Sequence, residues 1–166
     1  MATENKLEPA SQVLTFMLGD EEYGVDILRV QEIRGWEPVS RVPNVPPHEK
    51  GVINLRGAIV PIIDLRERFS LPHAGYTPLT VVIVLQLLLE DRKRVVGFVV
   101  DQVSDVVDVT KEITQPTPEF GSGINTRFLR GLATVGQRMI MLLDIDKVFG
   151  AGGRPGDGAE DNSDKL

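Results

Sequence analysis

Cysteine is missing from this chain altogether. That excludes disulfides, thiolate catalysis and cysteine-ligated metals, and it agrees with a reducing cytoplasm. Histidine is scarce: His48 and His73 both sit beside prolines, with no Ser or Cys partner and no metal-spaced mate. No metal site and no cofactor are therefore expected. A basic excess is also lacking, since 18 Lys and Arg face 24 Asp and Glu for a net charge of −6. Such a chain has no cationic stripe for nucleic-acid phosphates or anionic lipid. With one Trp and two Tyr, a cluster of surface aromatics for Pro-rich ligands is a thin prospect. Long hydrophobic runs are absent as well. The longest, from Leu79 to Leu89, is too short to span a bilayer and is broken by Thr80 and Gln86. Its Val and Ile content predicts a buried strand. The opening residues 1–12 have no apolar core, so they read as a flexible lead and not as a signal peptide.

What is present is a succession of short β-patterns divided by turn chemistry. Val13 to Ile27 predicts a hairpin turning at Gly19 to Glu22. The stretch "ILRVQEI" supports either a helical turn or a bent strand. The Pro-rich segment 39–51 predicts a loop with a short edge strand, and Val52 to Leu65 two strands meeting near Gly57. Pro61 is expected at an edge or bulge. A linker follows at 72–78, then a second hairpin flanking Glu90 to Lys93, then a Pro/Gly loop over 115–123. The acidic, Gly-rich residues 150–166 are predicted to be disordered, and their "GAGG" lacks the following Lys-Ser/Thr of a phosphate loop.

The chain also repeats itself. Gly24 matches Gly97 and Glu32 matches Asp105 at an offset of 73, and Pro43 falls on Pro116. Leu55-Arg56-Gly57 matches Leu129-Arg130-Gly131 at 74, and Asp64 and Phe69 match Asp144 and Phe149 at 80. On this reading a six-residue insertion lies in the second half, near "VGQRM". The predicted fold is all-β with a few short helices: two small barrels over residues 13–149, the switch near 70–80, sharing a core with a groove at their junction.

The paired aspartates raise an enzyme alternative, a proton-sharing dyad of Asp64 and Asp144. Leu65-Arg66 and Ile145-Asp146 follow them, where such dyads need a small hydroxyl residue and Gly. Capping of the next turn is the favoured reading, so no catalytic residue and no enzymatic activity are assigned. A binding groove needs apolar anchors and a few orienting polar groups. Val30, Ile33, Glu32 and Arg56 supply them, and Glu32 is expected to pair with Arg56 because an unpaired charge in apolar company is costly.

These residues carry a resemblance. "VQEIRG", "INLRG" and "VPIIDLR", in that order, with "RVVGFVVDQVSDV", "PEF" and "LLDIDKVF", resemble the CheW family of chemotaxis adaptors over roughly Val13 to Phe149. The resemblance implies two SH3-like five-stranded barrels, coupling of transmembrane chemoreceptors to the histidine kinase CheA, and a place in cytoplasmic arrays recruited to membrane-bound receptors. It implies that a receptor's cytoplasmic hairpin tip docks between the barrels, on Val30, Glu32, Ile33, Arg56 and Gly57, with Val99 and Asp101 as further contacts. It also implies barrel-to-barrel contact with the regulatory domain of CheA, or with further copies in rings, through Val42, Ile59 and Phe120. Gln115 stands where family members often carry a basic residue, which puts charge pairing at the ring contact in doubt. The second hairpin is longer than usual and is expected to protrude. A generic tandem SH3-like interaction module is the alternative reading. The chain is too short for the helical phosphotransfer bundle of CheA or the receiver domain of CheV, which favours a stand-alone adaptor.

Overall fold

The computed structural model describes residues 11–72, 75–90, 92–110, 114–115 and 128–150. The chain runs β1 (Ser11–Leu18), β2 (Glu21–Asp26), a 3₁₀ turn (Ile27–Arg29), β3 (Val30–Gly35), β4 (Glu49–Leu55), β5 (Ala58–Asp64), α1 (Leu65–Arg68), β6 (Val81–Leu89) and β7 (Arg92–Val100). It continues with β8 (Gln102–Val109), β9 (Thr114–Gln115), β10 (Leu129–Val135), β11 (Arg138–Leu143) and α2 (Ile145–Gly150). The ambiguous "ILRVQEI" is both things in turn: Asp26 caps the 3₁₀ turn by accepting from Leu28 N, and the chain then extends into β3.

Two sheets form, in the orders β3-β6-β7-β5-β4 and β8-β1-β2-β11-β10-β9. Apart from the short β9, one order maps onto the other by the internal repeat. The halves exchange their first hairpins: β1–β2 joins the strands of the second half, and β6–β7 those of the first. In each sheet the exchanged hairpin meets its host through a parallel pair, β5 with β7 and β11 with β2. The matched glycines hold equivalent places there, Gly97 opposite Ile62 and Gly24 opposite Leu142. The barrel built on β3–β7 is called barrel one and the other barrel two.

Strand registers correct the sequence alignment of the second hairpins. Leu55 pairs with Ala58 at the tip of β4–β5, and Val135 with Arg138 at the tip of β10–β11. Both hairpins carry a register shift, at Glu49/Gly51 and Leu129/Gly131. Gly131 therefore corresponds to Gly51, not to Gly57, and the offset is 80 along both hairpins. The two hairpins have equal length, and the extra residues fall between β8 and β10. The β6–β7 hairpin is the longer of the exchanged pair, with nine-residue strands against eight and six for β1–β2.

Alternation along the strands divides the core in three. Leu55, Val60, Ile62, Val82, Val84 and Val99 fill barrel one. Val13, Val107, Val109, Ala133, Ile140 and Leu142 fill barrel two. The largest cluster lies between them and draws Phe16, Leu18 and Tyr23 from one sheet and Ile83, Leu85 and Phe98 from the other. This is why the first half of β6, Val81 to Leu85, is apolar at every position: Val82 and Val84 face one core, Ile83 and Leu85 the other.

Pro61 is not at an edge or bulge. It lies within β5, between β4 and β7. Its cross-strand partner Val52 exchanges both backbone hydrogen bonds with Ser40 on the far side of β4. Val52 and Pro61 thus form a non-hydrogen-bonded pair, and the pairing with β7 begins only at Ile62. The missing N–H falls where neither neighbour needs it.

The crossovers between sheets are tied by ion pairs of reversed polarity. Where β7 gives way to β8, Asp101 accepts from Arg66, the second residue of α1, at 3.1 Å. Where β2 gives way to β3, Arg29 donates to Asp146, the second residue of α2, at 2.9 and 2.8 Å.

Candidate functional site

β3 is an edge strand of its sheet, and the β4–β5 hairpin lies toward the other edge. Arg56 Nη2 nevertheless donates to Glu32 Oε1 at 2.6 Å. A contact between the two margins of a five-stranded sheet requires the sheet to curl, and the Ser40–Val52 bridge closes the same gap. The expected pair is therefore formed, though not for the expected reason. The Arg56 side chain is 73% exposed, so solvent screens the bridge, and it contributes about 0.2–1 kcal/mol to stability. Arg34 approaches the second Glu32 oxygen at 3.5 Å.

The local backbone presents Arg56 deliberately. Arg56 and Gly57 are the two turn residues, with φ of 50° and 90°, the signature of the tight turn that suits twisted strands. Gly57 takes its conformation freely and donates to Asn54 Oδ1 at 2.9 Å. An arginine in the left-handed region is uncommon and held at a cost in backbone strain.

Ile33 pairs with Ile83, a member of the shared core. Paired residues share a sheet face, so Ile33 continues the shared core outward to solvent at the rim between the barrels. Val30 packs against the same core. Val30, Ile33, Glu32, Arg56 and Gly57 thus surround one edge of barrel one. A cleft of about 240 Å³ opens beside them, lined by Arg34, Val39, Ile53 and Asn54. It is large enough for one partner side chain, not for a helix. Val42 and Ile59 are exposed apolar residues of the same barrel.

One expected contact is corrected. Val99 is fully buried inside barrel one and offers no surface; its strand is buried on both faces, which an apolar run alone cannot reveal. Asp101 serves the crossover, with Oδ1 engaged by Arg66 at 3.1 Å and Oδ2 by Gly19 N at 2.7 Å, and its side chain keeps 24% exposure. Phe120, His73 and the tail 151–166 lie outside the described residues, as does the side chain of Gln115.

The aspartate dyad is not formed. Asp64 receives Arg66 Nε at 3.0 Å and Nη2 at 2.9 Å, and caps α1 through Arg66 N. Asp144 accepts from Lys147 N at the start of α2. Each carboxylate caps its own helix in its own half.

In barrel two, Arg138 donates to Glu22 and to Asp105, the latter at 2.9 Å. The Arg138 hydrogen bond, helped by Thr15, holds the Glu22 carboxyl below its ordinary value of 4.5 against the opposing effect of burial. The same two partners lower Asp105 from 3.8. Burial alone would raise Asp146, but hydrogen bonds from Arg29 and Leu88 N lower it from 3.8. Burial raises Glu49 from 4.5. A carboxylate with a depressed folded pKa stabilises above its unfolded pKa and loses that contribution as pH falls through the folded value. Glu49 acts with the opposite sign, one group against three among the described residues. The melting temperature is expected to hold near neutrality and fall below about pH 4.5. Arg138→Gln should shrink that fall. A melting temperature that climbs between pH 4.5 and pH 3 contradicts the assignment.

A family model described as CheW-like domain matches residues 12–152. The chain is 50% identical over 152 residues to a chemotaxis protein CheW of Klebsiella aerogenes, covering 90% of this chain and 89% of that one. It is 35% identical to a chemotaxis protein CheW of Bacillus subtilis, covering 87% and 90%. The crystal structure of the scaffolding protein TtCheW from Thermoanaerobacter tengcongensis superposes with a TM-score of 0.77 at 30% identity, over 89% of this chain and 97% of that one.

Proposed function

The chain belongs to the CheW-like family, and from that premise we propose that it is a non-catalytic chemotaxis scaffold coupling chemoreceptors to the histidine kinase CheA. One observation carries the receptor side: an exposed Ile33, continuous with the shared core, lies on an edge strand beside the Glu32–Arg56 bridge. An apolar anchor with a paired acid and base at its margin suits an amphipathic helix laid along the edge. The receptor's cytoplasmic hairpin tip is that helix in this reading, with Val30, Glu32, Ile33, Arg56 and Gly57 as its contacts and Asp101 as a further one. Val42 and Ile59, exposed on the same barrel, together with Phe120 are proposed to meet the regulatory domain of CheA or another copy of the chain in a ring. The protein then works in the cytoplasm at membrane-bound arrays, without a cofactor. Among the described residues no helix is long and apolar enough to cross a membrane.

Co-sedimentation with a receptor cytoplasmic fragment, with and without CheA, tests the coupling. Glu32→Arg and Arg56→Glu are each expected to weaken receptor binding by about tenfold or more. The double reversal should restore part of it. Additive losses in a double-mutant cycle would leave the bridge without a role in docking.

A further inference from the structure

The edge described above occurs twice. At the offset of 73 that relates β3 to β8, Val30, Glu32 and Ile33 become Val103, Asp105 and Val106. Val103 packs against the shared core as Val30 does. Val106 pairs with Leu14, a shared-core residue, as Ile33 pairs with Ile83. At the offset of 80 that relates the closing hairpins, Ile59, proposed above for the kinase or ring contact, becomes Met139. Exposure follows the same correspondence: 44% for Ile33 and 46% for Val106, 64% for Ile59 and 59% for Met139. β8, like β3, ends its sheet.

The arginine–carboxylate bridge recurs as well, rebuilt from a different position. Arg56 is a turn residue whose counterpart is Gly136, while Arg138 is the counterpart of Ala58. It still reaches the edge strand, on Asp105, at 2.9 Å. The charge balance differs between the two edges. Glu32 faces Arg34 and Arg56 in barrel one, whereas Arg138 faces Glu22 and Asp105 in barrel two. The first edge has a surplus of one positive charge and the second of one negative charge.

We propose that the β8 edge, through Val106 with the Asp105–Arg138 bridge at its margin, is a second docking surface, for an amphipathic helix whose apolar stripe is flanked by basic residues. The inference rests on the reading of the β3 edge as a helix-docking site and extends it to barrel two with opposite charge preference. One chain then holds two helices of different character at the same time, one on each side of the shared core.

The test uses the full ¹⁵N-labelled chain and two synthetic helical peptides with the same leucine stripe, one flanked by lysine and one by glutamate. The lysine peptide is expected to shift the amides of Ser104 to Val106. Its affinity should drop about tenfold in Val106→Asp, and stay unchanged in Ile33→Asp. Both substituted residues are exposed, and thermal melts verify that the variants fold. Three results overturn the proposal: no shifts on β8, shifts that survive Val106→Asp, or peptide-free self-association that Val106→Asp abolishes, which would make a second copy the occupant. Co-sedimentation of Ile33→Asp with the receptor fragment runs in parallel. Loss there with no peptide effect at β8 rejects this inference alone, while retention there rejects the reading of the β3 edge.

Discussion

Arg66→Ala is expected to cost about 3–5 kcal/mol of folding stability, the usual range for breaking a buried ion pair from one side. Arg66 is among the largest fully buried side chains of the protein. Its guanidinium grips Asp64 through Nε and Nη2, donates to Gly75 O at 2.6 Å and reaches Asp101 at 3.1 Å. It also lies 5.2 Å from the ring centroid of Tyr76, which is stacked on Trp36. Removing it leaves the Asp64 carboxylate buried without a counter-charge. It also unfastens Asp101, which holds the β1–β2 turn through Gly19 N.

Two comparisons separate this account from simple loss of volume. Arg66→Met in an Asp64→Asn background should cost less than Arg66→Met alone, because no unpaired charge remains. Arg29→Ala, at the other crossover, should cost only about 1 kcal/mol, because that bridge is partly exposed, at 31% and 26%. Urea unfolding at pH 7 reads all of them. A loss under 1 kcal/mol for Arg66→Met, or equal losses in both backgrounds, would show that the charge network is not what holds the crossover.

Much of this architecture can be read from the chain, because repeats of glycine and aspartate mark backbone events. Gly24 and Gly97 stand where a parallel neighbour approaches closely, and Asp64 and Asp144 cap the closing helices. The exchange of hairpins could not be read. A strand's pattern records which faces are buried, and β1–β2 would show the same pattern beside either set of neighbours. The Leu-Arg-Gly match misled for a related reason. Gly57 lies in a turn and Gly131 at a bulge, two different reasons for glycine with the same letters around them. Glu32 and Arg56 were legible as a pair because acid and base amid aliphatics invite a partner. Arg66, followed by Glu67 and Arg68, looks like ordinary helix surface, and only the fold places it under Tyr76. The duplicated edge was half visible: the sequence aligns Glu32 with Asp105, but Arg138 has no arginine as its counterpart, so only the register shows that it rebuilds the bridge.

Gly51→Ala is expected to be the costliest glycine substitution at this end of the molecule, on the order of 3 kcal/mol, from backbone strain together with two disturbed hydrogen bonds. Gly51 has φ of 148°, and a Cβ there would fall within 3.0 Å of the Ser40 carbonyl. That carbonyl accepts from Val52 N at 2.9 Å while Ser40 N donates to Val52 O at 3.1 Å. The bridge cannot yield to a methyl group without opening barrel one along β4. Gly57→Ala supplies the internal control. Its φ is 90°, also strained for an L-residue, but a Cβ would meet nothing within 4 Å. Its cost should be about 1 kcal/mol, from strain alone. The difference between the two variants isolates the clash with Ser40. Hydrogen exchange adds a local reading: protection at Ser40 and Val52 should fall in Gly51→Ala and persist in Gly57→Ala. Because the freed segment leads toward Val42, Gly51→Ala should also weaken the proposed kinase or ring contact while Gly57→Ala leaves it near normal. Equal destabilisation by the two substitutions, with protection at Ser40 intact, would mean that barrel one does not depend on this bridge for its closure.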